Sequence, residues 1–169
     1  MSELRRVKFF VALLYSHEDE SAIAQLTSEF GTVDIVSREF EFVETDYYEN
    51  EMGRNLRRRF HSFETLRVES DLVLFKKFAA RIEAKYSKEG KRTVNIDPGY
   101  LDFYKVVLAS SKYAGHRIYI GNGVYADMIL LFEKGKYKPF SWTFPDFRSG
   151  KYDQWLLAVR KKFKMQVNQ

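Results

Sequence analysis

The chain reads as an α+β protein built mostly on antiparallel sheet, and three patterns predict it. Residues 1–96 alternate strand-like and helix-like periodicity in the order β-α-β-β-α-β, that of a ferredoxin-like split unit whose two helices cover one sheet face. Residues 97–169 then carry β signals at hairpin spacing, a β-meander, before an amphipathic C-terminal helix. At 169 residues the two parts suit a single domain (1–169) with a core of its own.

Residues 7–15 are nearly continuous in apolar and aromatic side chains (Phe9, Phe10, Val11, Leu13, Leu14), as in a strand covered on both faces. The charged run Ser2-Glu3-Leu4-Arg5-Arg6-Val7-Lys8 precedes too short an apolar stretch for a signal peptide or membrane span, and is read as the start of that strand. Ser16 and Asp19 form a capping-box pattern. Ala22, Ile23, Leu26 and Phe30 then recur at helical spacing until Gly31. Residues 32–43 return to β chemistry, with Phe40 and Phe42 alternating against glutamates, and residues 45–55 form a polar connection. Residues 57–66, carrying Phe60 and Phe63, complete a long hairpin. Ser70 is placed to cap a helix with Leu72, Phe75, Ala79, Ile82 and Tyr86 on one face, ending around Gly90. Residues 93–96 make the next strand. Asp97-Pro98-Gly99 is then expected to turn the chain, because proline fixes φ and glycine permits a tight reversal.

Later turns fall at Ala114-Gly115, Gly121-Asn122-Gly123 and Lys134-Gly135, separating strands near 103–111, 116–120, 124–132 and 136–142. Tyr152, Trp155, Leu156, Val159 and Phe163 share one face of the final helix. Its Arg160, Lys161, Lys162 and Lys164 complement the helix dipole and keep the outer face solvated.

There are no cysteines, which excludes disulfides, thiolate metal sites and cysteine nucleophiles. A cytoplasmic location is expected, with no membrane partner. The formal net charge of +5 favours an anionic partner such as a phosphate-bearing small molecule, a nucleotide or RNA.

Two surfaces could carry chemistry. The first joins Asn95, Asp97, Gly99 and Tyr100 at the expected turn to a sheet face. Pairing Ile120 with Val124, and so Ile118 with Ala126, puts Arg117 opposite Asp127 and Tyr119 opposite Tyr125, and Lys105 joins them if Leu108 pairs with Ile118 and Val106 with Ile120. Cations, a carboxylate and aromatic platforms together suit a nucleotide or RNA phosphate. The same pattern also describes a solvated face holding one cross-strand ion pair. The second surface is the acidic run with Asp46 and Glu51, a weak site for Mg²⁺, followed by Arg57, Arg58 and Arg59. Strand alternation places Arg57 and Arg59 on one face and Arg58 on the other, leaving Arg57 and Arg59 as the usable phosphate-binding pair. His17, His61 and His116 form no obvious site. Lys105, His116 and Asp127 are the groups available for proton transfer, with no catalytic role assigned to them.

The run Asn95-Ile96-Asp97-Pro98-Gly99-Tyr100-Leu101, with the later segments 116–121 and 123–126, resembles an uncharacterised bacterial and archaeal family of domains of unknown function. An Asp-Pro-Gly-Tyr run marks that family, and some members carry a GTP-binding label. The resemblance implies a nucleotide ligand, GTP included. The chain has no phosphate loop and no Asn-Lys-x-Asp motif, so binding would use a non-P-loop site. The alternative is an RNA-binding or protein-interaction module without catalysis. A third reading is phosphate-ester hydrolysis with Mg²⁺ on Asp46, Glu51 or Asp127.

Overall fold

A computed structural model describes residues 4–169, so Ser2 and Glu3 of the leading charged run lie outside the described residues. The sheet is organised around β1 (Arg6–Tyr15), in which every residue after Arg6 is buried. A strand apolar on both sides must lie inside a sheet. β1 accordingly pairs antiparallel with β4 (Arg57–Phe63) on one edge and β6 (Val94–Leu101) on the other. β2 (Val33–Val36) and β3 (Phe40–Glu41) both join the far edge of β4, and β5 (Arg67–Val68) pairs with the first residues of β1. The four principal strands of the front half thus lie in the order fourth, first, third, second, all antiparallel, as the split unit requires.

Helices α1 (Glu20–Phe30) and α3 (Asp71–Lys85) cover the face bearing Val7, Phe9, Val11 and Leu13. Phe30 stacks on Phe63 and Phe75 with ring centroids 5.3 and 4.4 Å apart. The C-terminal helix α5 (Asp153–Val167) lays Trp155, Leu156, Val159 and Phe163 on the opposite face, against Phe10, Ala12 and Phe60. Each such side chain contributes about 1.5–3 kcal/mol on leaving water. At the open end of this second face sit two short helices, α2 (Glu49–Met52) and α4 (Pro145–Arg148).

Several local expectations change. Asp19, not Ser16, caps α1, its carboxylate accepting from the N–H groups of Ser21 and Ala22. The expected strand 32–43 breaks into β2 and β3, and the polar connection after it contains α2. Ser70 makes no side-chain capping bond, and α3 ends at Lys85, short of Gly90; the chain then turns through Glu89 and Gly90, both at positive φ. Asp97-Pro98-Gly99 is not a turn. These residues lie within the eight-residue β6, held against β1 along its whole length.

The meander is also rearranged. β7 (Lys105–Ser110) pairs with β9 (Val124–Glu133) rather than with β8 (Ile118–Gly121), and β8 and β10 (Lys136–Pro139) share the other edge of β9. The side chains of β9 supply both cores, whereas those of β8 are largely exposed, so β9 takes the interior place and β8 the edge. Asn122 and Gly123, both at positive φ, form the expected tight hairpin turn. Ile118 pairs with Ala126 and Tyr119 with Tyr125 as expected, but Gly121 rather than Ile120 stands opposite Val124, and a bulge between Tyr119 and Gly121 takes up the difference. No helix among the described residues is long and apolar enough to cross a membrane.

Candidate functional site

One missing hydrogen-bond donor opens the sheet. The N–H of Asp102 donates to the carbonyl of Lys105 at 3.2 Å. Hydrogen-bonded pairs alternate along an antiparallel ladder, so the next are Tyr100 with Val107 and then Pro98 with Ala109. Pro98 has no N–H to give Ala109. The β6–β7 ladder ends one pair earlier, at Gly99 with Leu108. Beyond that point β6 stays with β1 as far as Val94, while β7 follows β9 to Ser110. The separated ends line a cleft of about 530 Å³, with α3 contributing Lys76, Ala80 and Glu83.

The most buried cation of the cleft is Arg58, 4% exposed, which β4 carries on the face opposite Arg57 and Arg59. Its Nη1 lies 3.5 Å from Asp97 and its Nη2 3.6 Å from Asp146. Burial opposes the charge, but Asp146 and Asp97 outweigh it and raise the affinity of Arg58 for its proton. Its Nε and Nη1 are buried without a hydrogen-bond partner. Asp97 is held by the Asn95 amide at 2.8 Å and Asp146 by the Tyr152 hydroxyl at 2.8 Å.

A second cluster centres on Arg92, which forks onto Glu51 at 2.7 and 2.9 Å and also donates to Glu83 and Asn95. The hydrogen bond from Arg92 holds Glu51 below the usual carboxylate range, whereas burial pushes Glu83 up. Burial also pushes Tyr48 up to about 12, with the charge of Asp97 adding to it. The third cluster is Arg117, whose Nε lies 2.9 Å from Asp127. This ion pair is half-buried, with Asp127 1% exposed and the Arg117 side chain 12%. His116 adds its Nε2 3.2 Å from Asp127 and stacks on Trp142.

The cleft therefore gathers Asn95, Asp97, Arg117 and Asp127 from among the expected residues. The others lie elsewhere. Gly99 sits under β7, and Tyr100 packs on Phe9 within the core below α3. Lys105 pairs across the sheet with Leu131, far along the ladder from Asp127, and binds Asp102 and Glu69. Tyr119 and Tyr125 project from the outer hairpin with ring centroids 5.3 Å apart. Arg57 and Arg59 face away from the cleft and pair with Glu41 and Glu18. Asp46 is exposed and Glu51 is taken by Arg92. Among the described residues no three His, Cys, Asp or Glu side chains cluster closely enough to hold a metal ion.

Arg58, Arg92, Lys76, Lys112, Glu83 and Asp146 were missed as site residues. The signal for Arg58 was present, since alternation sets it apart from Arg57 and Arg59. The face it occupies turns out to be the one that α2 and α4 close over.

This is an α+β protein with a charged cleft at a split in its sheet. Over residues 5–163 the chain matches the family described as Domain of unknown function (DUF4416), and it belongs to that family. No curated protein and no solved structure matches it.

Proposed function

We propose that the cleft binds a small phosphate-bearing ligand of nucleotide size, GTP among the candidates. The observation that carries this reading is a pair of cleft lysines that no carboxylate meets among the described residues. Five cations line one concave space, and three of them, Arg58, Arg92 and Arg117, already face carboxylates. Lys76 and Lys112 have no carboxylate partner among the described residues, and the Lys112 ammonium donates to the Tyr47 hydroxyl. A phosphate beside these two lysines would meet the cations that no carboxylate pairs. The volume suits a nucleotide, and Phe42, Tyr47, Tyr48 and Phe144 offer rings for a base. The Asp97–Tyr100 run that resembles the family mark supplies a cleft carboxylate, the proline that ends the ladder and a glycine that lets the strands meet.

A second reading, RNA binding, rests on the exposed outer hairpin. There Tyr113, Tyr119 and Tyr125 cluster with centroids 5.3 to 6.0 Å apart, a stacking platform outside the cleft. Melting temperatures with nucleotides, with and without Mg²⁺, separate the two. A rise with nucleotide supports the cleft. No rise with any nucleotide, together with salt-sensitive binding of single-stranded RNA, would replace it with the platform.

A further inference from the structure

The cleft is enclosed at Arg58 and exposed at Lys112, and this inner end differs chemically from the outer one. At the inner end one guanidinium, Arg58, stands between two carboxylates, Asp97 and Asp146, at separations longer than hydrogen bonds. Arg58 keeps two buried N–H positions unused. Each carboxylate spends Oδ2 on a neighbour, Asn95 or Tyr152, and Oδ1 of each receives no hydrogen bond among the described residues. Free donors and free acceptors therefore sit side by side, with a formal excess of one negative charge.

A phosphate dianion there would face that excess of negative charge and two groups that act as hydrogen-bond acceptors. Unmet buried donors are costly, so the native state favours an occupant that meets them. From this we infer that the inner end recognises a head group pairing one acceptor with at least two N–H donors, and that the phosphate of the same ligand lies outward at Lys76 and Lys112. The inference rests on the phosphate reading above and adds the ligand's orientation and the chemistry of its other end. Two kinds of head group have that pattern. One is an ammonium carboxylate, whose carboxylate would accept from Arg58 while its ammonium donates to Asp97 and Asp146. The other is a guanine edge, with one carbonyl and two kinds of N–H. Adenine and cytosine carry their N–H donors on one uncharged amino nitrogen, a weaker match to two carboxylates than an ammonium or guanine's two nitrogens, and uracil has a single N–H.

The test is calorimetric titration of the full chain with O-phosphoserine, GMP, AMP, UMP and ribose 5-phosphate, and with serine and guanosine lacking phosphate. One of O-phosphoserine or GMP should bind about tenfold or more tightly than AMP, UMP and ribose 5-phosphate, the scale of losing one charged hydrogen bond. Which of the two it is identifies the head group. Asp97→Asn, and separately Asp146→Asn, should erase most of that preference while ribose 5-phosphate binds as before. If every phosphate compound binds within about twofold of ribose 5-phosphate, the head-group inference is overturned and phosphate binding stands. If serine or guanosine binds as well as its phosphate ester, the inner recognition stands and the phosphate reading fails. No binding by any of them removes both.

Discussion

A β-carbon added to Gly99 would lie 2.5 Å from the carbonyl oxygen of Val107 and 2.9 Å from Cζ of Phe10. The two strands thus leave no room for a side chain one residue beyond the proline at which they part. Gly99→Ala must push β7 or Phe10 aside, and overpacking of this kind costs about 1–3 kcal/mol. The urea midpoint should fall with the slope unchanged. A midpoint within error of the parent protein would mean that the strands give way freely.

Arg58 is expected to matter more to folding than an exposed arginine. Replacing it with Met leaves Asp97 and Asp146 facing each other with no cation between them, a change that typically costs about 3–5 kcal/mol. Adding Asp146→Asn removes one stranded charge, so the double variant should recover part of the loss in a double-mutant cycle. Strict additivity would show that the two side chains do not interact.

His61 gives the protein a definite acid response. Burial, with the nearby charge of Arg59 adding to it, lowers its pKa from 6.5 to about 4. The unfolded chain therefore binds a proton that the folded chain refuses between those values, and stability drops as pH falls through that window. The slope from this group approaches about 1.4 kcal/mol per pH unit inside the window and vanishes above it. His61→Phe should flatten the pH dependence between 4 and 6.5, measured as urea midpoints at several pH values. An unchanged slope would assign the response to other groups.

Gln166 ties the last turn of α5 to the centre of the sheet, accepting from Lys8 at 2.9 Å and donating to the carbonyl of Glu64 at 2.6 Å. Lys8 is fully buried and also holds Asp34 and the carbonyl of Phe63. Gln166→Ala should speed amide hydrogen exchange in residues 163–167 and cost about 0.5–1.5 kcal/mol. If exchange quickens equally across the whole chain, the contact is part of the global unit rather than a local latch.

Changing Lys76 and Lys112 together to Gln should leave the melting temperature as it was and weaken every phosphate ligand of the cleft alike. The remaining binding should also lose much of its salt dependence. Weakening restricted to one head group would place the phosphate elsewhere.

Much of the fold was legible because it rests on local chemistry. The apolar run of β1, the helical spacing of Leu72, Phe75, Ala79 and Ile82, and the Asn122-Gly123 turn each announce their element within a few residues. The front half's strand order followed from those elements by simple packing rules. Pro98 misled because Asp-Pro-Gly is ordinary turn chemistry. Whether a proline can sit inside a sheet depends on which neighbour its missing N–H faces, and that neighbour, β7, is only defined by the fold. Arg117 with Asp127 was recovered because hairpin register is local. Lys105 was placed beside them wrongly because the choice between β8 and β9 as the partner of β7 turns on burial at long range. Arg58 follows the same logic. Its strand face was readable, but the short helices that enclose that face come from residues 49–52 and 145–148, far apart in the chain.

The reliance of Phe10, Ala12 and Phe60 on α5 for cover has a consequence for synthesis on the ribosome. Translation proceeds from the N-terminus, so the front four strands can pair and receive α1 and α3 well before residues 153–167 emerge. Until then the nascent sheet shows the surrounding solution a bare aromatic surface. The final helix is thus the step that ends the chain's exposure to aggregation. Truncation before it would yield a product prone to chaperone capture even though the front four strands were complete.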